Sequence, residues 1–349
     1  MRVTHRLTDT LGIELPIIQA PMAGVQGSAL AIAVCEAGGL GSLPCALLSA
    51  ESVRRELTAI RSGTTRPFNV NLFCHSPPVA DAAQEALWRA QLAPYYKEFG
   101  MDMRADAGGG PPRKPFDAEA AEVLSEFRPP VVSFHLGLPS PALMARVKSW
   151  GAKVISSATT VAEALWLEAN GADALIAQGL EAGGHRGMFL SKDLAEQMGT
   201  FALLPQVIQA VKVPVIAAGG VTSADTVAAA LALGAAGVQV GTAYLLCPEA
   251  DTSSVHRAAL KGGRARHTVL TNLFTGGVAR GIPNRLTDEL GPLNSAVPAF
   301  PLAANALAPL RRAAESASRG DFSPLWAGQN VTGCREISAA ALTRELMPS

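Results

Sequence analysis

The segment Pro214-Val-Ile-Ala-Ala-Gly-Gly220 is a short apolar run that ends in two glycines. A second segment, Val238-Gln-Val-Gly-Thr242, follows one helical stretch later and ends in a glycine and a hydroxyl. Short continuous apolar runs predict strands of a parallel sheet that is covered on both faces. In a barrel of eight such strands, the loops after the last two often form a phosphate site. The two segments therefore favour a barrel over a doubly wound sheet, which has the same local pattern.

Strand and helix patterns alternate through the first 245 residues of the chain. Together with the two segments above, eight strands are predicted, at 17–19, 40–43, 68–73, 131–135, 154–157, 174–177, 215–217 and 238–240. Helical patterns fill most of the gaps, near 28–37, 49–61, 141–149, 161–170, 201–211 and 224–233. The fold class predicted from this order is α/β, a (β/α)8 TIM barrel.

Two segments depart from the alternation. Between the third and fourth strands lies an insertion, about 76–126, which contains Pro77-Pro78 and the run Ala107-Gly-Gly-Gly-Pro-Pro112. The tail, 251–349, is mostly helical in pattern, so the predicted division is a barrel at 1–250 and a helical lid or substrate region after it. Long excursions at barrel strand ends commonly cover the site. A surface elaboration without a role is the alternative.

The charge balance limits the kinds of partner. Lys plus Arg and Asp plus Glu both total 29, and no stretch concentrates one sign. This balance disfavours nucleic acid and anionic membrane surfaces, so the expected partner is a small molecule. The 21 residues at 227–247 carry no charge, but Gly234 and a following β-branched run predict a buried helix–turn–strand unit there, and no membrane association is expected.

The chain is expected to be cytoplasmic. Its first residues have no apolar stretch that would form a signal peptide. The cysteines are scattered, without a CxxC pair or a ligand-like spacing to histidine, which fits a reducing compartment and predicts no metal site. They are Cys35, Cys45, Cys74, Cys247 and Cys334.

A glycine-rich loop with a histidine follows the sixth predicted strand, Gln178-Gly-Leu-Glu-Ala-Gly-Gly-His185-Arg-Gly187. Four glycines in ten residues predict a backbone that turns sharply and lies against a flat or bulky group. Histidine titrates near neutral pH and serves as a donor or a base, so His185 is a candidate catalytic residue. His135, at the end of the fourth strand, faces the same barrel mouth. An isolated histidine is more often structural.

Two other strand ends carry candidate cofactor contacts. Met22 follows the first strand, where its thioether can cover the face of a ring. Asn69 and Asn71 share one face of the third strand, because side chains alternate with a period of two. Amides both donate and accept hydrogen bonds, which the edge of an isoalloxazine requires, and Gln178 has the same capacity.

These motifs resemble the nitronate monooxygenase family, once called 2-nitropropane dioxygenases, in order and over most of the chain. The matching segments are Gln19-Ala-Pro-Met22, Pro67-Phe-Asn-Val-Asn71, Val132-Ser-Phe-His135, Glu181-Ala-Gly-Gly-His-Arg-Gly187, Ala217-Ala-Gly-Gly220, Gln239-Val-Gly-Thr242 and Ala279-Arg-Gly-Ile-Pro-Asn-Arg285. The resemblance implies a TIM barrel, non-covalent FMN, and oxidation of alkyl nitronates by O2 to a carbonyl compound and nitrite. A homodimer is a possible assembly.

The resemblance also implies roles for individual residues. His185 and His135 become the catalytic pair beside the flavin. The expected FMN contacts are Ala20, Pro21, Met22, Ala23, Asn69, Asn71, Gln178, Gly183, Gly184, Ala218, Gly219, Gly220, Gln239, Val240, Gly241 and Thr242.

The chain departs from the family in the segment that runs from Phe300 to Leu310. Bacterial members carry tyrosines and a lysine there, whereas this chain has Phe300, Ala304 and Ala308, so an altered substrate pocket is expected. Three other interpretations remain open. They are an NAD(P)H-dependent flavin reductase of quinones or enoyl thioesters on the same barrel, a phosphosugar isomerase or synthase, and a flavin-binding protein without catalysis.

Overall fold

The structure, a computed structural model, describes residues 7–103 and 113–348. Eight parallel strands form its main sheet, in the order β1-β9-β8-β6-β5-β4-β3-β2. Their bounds are β1 Ile17–Gln19, β2 Gly41–Pro44, β3 Phe68–Phe73, β4 Val131–His135, β5 Lys153–Ala158, β6 Ala174–Gln178, β8 Val215–Ala218 and β9 Gly237–Val240. Each lies within one residue of a predicted strand, so the predicted TIM barrel is confirmed.

The two outer strands of this sheet, β1 and β2, meet through the backbone just before β2. The amide of Leu40 donates to the carbonyl of Ile17 over 2.8 Å, and the amide of Gln19 donates to the carbonyl of Leu40 over 2.9 Å. These contacts close the sheet on itself. A closed barrel leaves no strand edge unpaired.

A second, smaller sheet was not predicted. It is antiparallel, in the order β10-β11-β7, and its strands are β7 Gly184–His185, β10 Val269–Thr271 and β11 Ala279–Gly281. The pair Ala279↔His185 joins the tail of the chain to the histidine loop. A two-residue strand has no periodicity of its own, and its partner lies almost a hundred residues away, so the sequence pattern contained no sign of it.

Thirteen α-helices are present in the described residues. They are α1 Leu7–Leu11, α2 Ser28–Glu36, α3 Ala50–Gly63, α4 Ala82–Glu98, α5 Ala118–Phe127, α6 Pro141–Lys148, α7 Val161–Ala169, α8 Thr200–Ala210, α9 Ala224–Ala232, α10 Ser254–Lys261, α11 Arg285–Leu290, α12 Ala303–Ser316 and α13 Ala339–Glu345. Among the residues described, no helix is long and apolar enough to cross a membrane.

The helix boundaries follow from local chemistry. The hydroxyl of Ser49 accepts a hydrogen bond from the amide of Ser52 and so caps α3, a role that serine fills well. The buried residues of α3 are Val53, Leu57 and Ile60, spaced by four and three, so they form one stripe against the barrel.

The predicted insertion contains two helices with different neighbours. Helix α5 packs between α3 and α6 as part of the barrel's helix layer, whereas α4 packs on α12 in the tail. The indole of Trp88 on α4 donates to the carbonyl of Ala303 over 3.1 Å, and the hydroxyl of Tyr96 donates to that of Ala306 over 2.6 Å. The predicted run at 107–112 lies outside the described residues.

The tail also returns to the barrel. Helix α13 packs on α2, and the hydroxyl of Thr343 lies 2.8 Å from that of Tyr244, so the last helix completes the layer around the barrel. A division between a barrel at 1–250 and a separate lid at 251–349 stays a prediction.

An apolar plug fills the amino-terminal end of the barrel. Helix α1 inserts Leu7 and Leu11 beneath inward-facing side chains that include Ile18, Ile155 and Ile216. With this end filled, open space in the barrel remains at the carboxyl ends of the strands, the end at which barrel enzymes hold their active sites.

Candidate active site

A cavity opens at the carboxyl ends of the barrel strands. Its lining contains every residue predicted to be catalytic or cofactor-binding except Asn69 and Val240. The predicted residues that line it are Ala20, Pro21, Met22, Ala23, Asn71, His135, Gln178, Gly183, Gly184, His185, Ala218, Gly219, Gly220, Gln239, Gly241 and Thr242. One cavity therefore brings together segments from six strand ends.

The two exceptions lie just outside this cavity. Val240 is fully buried in the apolar layer, and its carbonyl accepts the amide of Ala20 over 2.8 Å. Asn69 lies deeper in the barrel, where its Nδ2 donates to the hydroxyls of Ser42 over 3.0 Å and Ser133 over 2.9 Å. Since Ser133 lines the cavity and also accepts from Nδ2 of Asn71, Asn69 supports the lining from below.

The ends of β8 and β9 form a backbone cradle. Gly220 has a φ of 73°, in the left-handed region, and a Cβ added there would meet only the side chain of Glu181, at 3.9 Å. Among the described residues no backbone acceptor takes the amide of Gly220 or of Gly241. The hydroxyl of Thr242 accepts the amide of Gly328 over 2.9 Å, so its own proton remains available. Free amides and a hydroxyl donor suit an anionic group such as a phosphate.

The cavity also contains an amide oxygen without a partner. Oε1 of Gln239 is buried and receives no hydrogen bond from the described residues. An unpaired buried acceptor costs free energy unless a ligand supplies a donor. A heteroaromatic cofactor ring with an N–H at its edge is a group of that kind.

The methionine loop after β1 is held by two glutamines. Nε2 of Gln19 donates to Oε1 of Gln26 over 2.6 Å, and that oxygen also accepts the amide of Met22 over 3.1 Å. Gln26 in turn donates to the carbonyl of Ser42 over 2.6 Å. These bonds fix the backbone that carries Met22 into the cavity.

The histidine loop is fixed by buried side chains on either side. Gln178 bridges it, because its Nε2 donates to the carbonyl of His185 over 3.0 Å and its Oε1 accepts the amide of Gly187 over 2.8 Å. Arg186 is 2% exposed and donates to the carbonyls of Gly179 over 2.6 Å and Gln178 over 2.9 Å. Burial lowers the pKa of Arg186 to about 10, which leaves it charged at neutral pH.

The His185 side chain faces the cavity and is neutral. Its Nε2 lies 2.8 Å from the hydroxyl oxygen of Thr275, and its ring is flanked edge-on by Phe300 at 5.2 Å and Trp326 at 5.5 Å between ring centroids. Burial lowers its pKa well below the ordinary value, and the positive charge of Arg113 adds to this shift. The imidazole is therefore neutral at pH 7, with a proton on one ring nitrogen and a lone pair on the other.

His135 positions the backbone of His185. Its Nε2 lies 3.2 Å from the carbonyl oxygen of His185, and its Nδ1 lies 3.1 Å from the hydroxyl of Ser157. Burial lowers the pKa of His135 to about 4, so the ring is neutral at pH 7. Because a carbonyl only accepts, Nε2 carries the proton and Nδ1 accepts from Ser157. Both ring nitrogens of His135 are therefore hydrogen-bonded, and the bond from Nε2 holds the backbone of the loop that carries His185.

Several residues of the site were not predicted from the sequence. Ser133 lies in the middle of β4 and Ser157 near the end of β5, both on the inward face, so the alternation that indicated Asn71 would also have indicated them. Trp326, Gly328 and Asn330 come from the tail and line the cavity through contacts that no local pattern signals. Of the departures in the 300–310 segment, Phe300 contacts His185, whereas Ala304 and Ala308 do not line the cavity. In the part of the chain that the structure describes, no group of ligands could hold a metal ion.

The barrel and its cavity define the class of protein: a TIM-barrel enzyme with its active site at the carboxyl ends of the strands. The sequence profile of the nitronate monooxygenase family matches residues 4–349. The chain therefore belongs to the nitronate monooxygenase family and is an oxidoreductase.

Individual relatives agree with this assignment. The nitronate monooxygenase of Pseudomonas aeruginosa is 43% identical over 346 residues, which are 99% of either chain. The nitroalkane oxidase of Streptomyces ansochromogenes superposes with a TM-score of 0.89 at 40% identity, over 98% of this chain and 96% of its own. The structure of FabK from Thermotoga maritima superposes with a TM-score of 0.71 at 30% identity, over 98% and 94%.

Proposed function

We propose that this protein oxidises alkyl nitronates with molecular oxygen, using bound FMN, and releases a carbonyl compound and nitrite. The observation that carries the proposal is the pairing of an anion cradle, at Gly219, Gly220, Gly241 and Thr242, with the neutral His185 in one cavity. The relative from Pseudomonas aeruginosa is named for nitronate oxidation, and that from Streptomyces ansochromogenes for nitroalkane oxidation.

The residues present fit FMN. The cradle, with its free amides and the hydroxyl of Thr242, would hold the phosphate. Oε1 of Gln239 lacks a donor, which the flavin ring would supply. Met22, held by Gln26, would cover the ring, and Asn71 offers its Oδ1 as a further acceptor at the barrel mouth. When bound, FMN supplies the electron transfer between the substrate and oxygen.

The residues of this chain bind and orient the substrate. A nitronate is already a carbanion in resonance form, so oxidation needs no strong base to begin. His185 is neutral and its Nε2 is held by Thr275, which leaves Nδ1 for the substrate. With the ring proton on Nδ1, it donates a hydrogen bond to the negative charge of a nitronate; with the proton on Nε2, its Nδ1 accepts the α-proton of a neutral nitroalkane. The rings of Phe73, Phe300 and Trp326 surround His185 and limit the access of water.

We also propose that the insertion and the tail act as a cover for the barrel. Helices α4 and α12 pack on one another through Trp88 and Tyr96, and the tail supplies Trp326 and Asn330 to the cavity. These contacts support a cover that lies over a barrel at 1–250 and forms part of the substrate site.

The first test is the identity of the cofactor. We expect the purified protein to be yellow and to release FMN on denaturation. FAD is not expected, because the described lining of the cavity has one anion cradle and no second one for an adenylate. Chromatography of the released flavin measures this. Colourless protein that cannot be reconstituted with FMN would contradict the cofactor proposal.

The second test is the reaction. We expect a nitronate to bleach the flavin absorbance under anaerobic conditions, and to consume oxygen and form nitrite in air. NADH should reduce the flavin slowly or not at all. Rapid oxidation of NADH with a quinone acceptor, together with no nitrite from any nitronate tried, would show that the protein is a reductase on the same barrel.

A further inference from the structure

Arg113 brings a positive charge to the cavity wall. The chain returns from the insertion along the end of β3, where the amide of Phe116 donates to the carbonyl of Phe73 over 2.7 Å. Three residues earlier, Arg113 lines the cavity together with Phe73 and His185. It is the only lysine or arginine in the lining described by the structure.

Within the described part of the chain, nothing neutralises this guanidinium. Its Nη1 is buried and has no hydrogen-bond partner. None of the ion pairs between described residues includes Arg113. Among the described lining residues the single carboxylate is that of Glu181, and it is turned to Thr200, whose amide and hydroxyl both donate to it over 2.8 Å.

A partly buried cation without a partner among the described residues opposes folding. Desolvation of a charge without a partner is costly, so such groups are usually paired or neutralised. Burial and the nearby Arg311 lower the pKa of Arg113 to about 10, which still leaves the guanidinium charged at pH 7. Its neighbours His75 and His185 also have lowered pKa values, so they carry no charge at that pH. A stability cost of this kind, located at a cavity, is typical of a functional group.

We infer that Arg113 is the specificity-determining residue that binds the two oxygen atoms of an anionic substrate beside His185. This inference rests on the proposed function, and it assigns to one side chain the selection of a nitronate over a neutral nitroalkane. A guanidinium offers parallel N–H groups that match two coplanar oxygens, as a nitronate or a carboxylate presents them. A lysine ammonium at the same place would supply the charge but not the two parallel N–H groups.

The test uses propionate, an unreactive anion with two coplanar oxygens, as the probe of the holoenzyme. Binding is followed by the perturbation of the flavin absorbance, without turnover. We expect Arg113→Gln to raise the Kd for propionate about 10- to 100-fold, which corresponds to losing a hydrogen bond to a charged group. The Kd of Arg113→Lys for propionate should lie between those of the wild type and Arg113→Gln. The matched control is Arg312→Gln, which removes the same charge from an exposed position outside the cavity.

Two further measurements separate binding from a structural role. The thermal midpoint of Arg113→Gln should equal or exceed that of the wild type, because a partly buried charge that no described residue pairs is removed. Its KM for a nitronate should rise by a factor similar to that for propionate, while its KM for the neutral nitroalkane changes little. A lower thermal midpoint with parallel losses for both substrates would overturn the inference in favour of a structural role.

The inference and the proposed function fail differently. If Arg113→Gln binds propionate as tightly as the wild type, the anion site is wrong even if nitronates are oxidised. If the wild type oxidises no nitronate but Arg113→Gln still loses propionate, the anion site stands and the proposed substrate is wrong.

Discussion

Replacing Gly220 with valine should abolish FMN binding at ordinary protein concentrations while the barrel remains folded. A side chain there occupies open space beside the cradle, since a Cβ would meet only Glu181, and it would lie where the phosphate approaches the free amide. Losing two charge-assisted hydrogen bonds, each worth about 1.5–3 kcal/mol, lowers the affinity by roughly 10²–10⁴-fold. Titration of the apoprotein with FMN, followed by fluorescence quenching, measures this change.

Valine at position 220 also strains the backbone, because φ there is 73° and L-residues avoid that region at a cost of about 1–2 kcal/mol. Gly291 provides the matched control. It has the same φ of 73°, a Cβ there would meet nothing within 4 Å, and it lies outside the cavity lining. Gly291→Val should therefore also lose thermal stability but keep full flavin occupancy. Equal FMN affinity in the two variants would mean that the cradle is not the phosphate site.

The barrel was predictable because its evidence is local. Each strand is a short apolar run between a helix and a turn, and the run at 215–218 is buried at every position. The glycines and polar residues at the strand ends then indicated which edge carries the site. Because all the strands are parallel, one edge collects all of their carboxyl ends, and the predicted residues meet there without any knowledge of long-range contacts.

The limits of that prediction have physical causes. Alternation along a strand decides which side chains face inward, and Val240, next to the inward-facing Gln239, faces the helices. Asn69 and Asn71 do share a face, but a barrel interior has layers, and only the upper one reaches the cavity. The cover formed by the insertion and the tail depends on contacts between segments that are far apart in the chain, such as Trp88 with Ala303. A single sequence contains no local sign of such contacts.

The two histidines that the sequence grouped together have separate tasks. His135 bonds through both ring nitrogens to Ser157 and to the backbone of residue 185, so it fixes the loop. His185 holds only Thr275 through Nε2 and presents the rest of its ring to the cavity. The loop backbone at 185 is thus held by His135 and Gln178 whatever side chain it carries. The side chain of residue 185 can therefore be replaced without loss of the contacts that hold the loop backbone.

His185→Asn should retain FMN and lose roughly 10²–10³-fold in kcat with a neutral nitroalkane, the effect typical of removing one electrostatic stabiliser of a developing anion. The flavin should stay bound because the cradle and Gln239 lie on other strands. The loop that carries residue 185 should keep its shape because His135 and Gln178 hold its backbone. With a preformed nitronate the loss should be smaller, because no proton has to be taken. Stopped-flow reduction of the flavin with each substrate separates the two effects.

The matched control is His267→Asn, at an exposed position outside the cavity lining, which should leave both rates unchanged. If His185→Asn lost the same factor with nitronate and nitroalkane, His185 would act only on the anion and would not take the proton. If it lost nothing with either substrate while remaining flavin-loaded, the catalytic role of His185 would be wrong. Arg113 would then be the one remaining group in the described lining that carries charge suited to a nitronate, because the other histidines there, His135 and His256, have pKa values lowered to about 4.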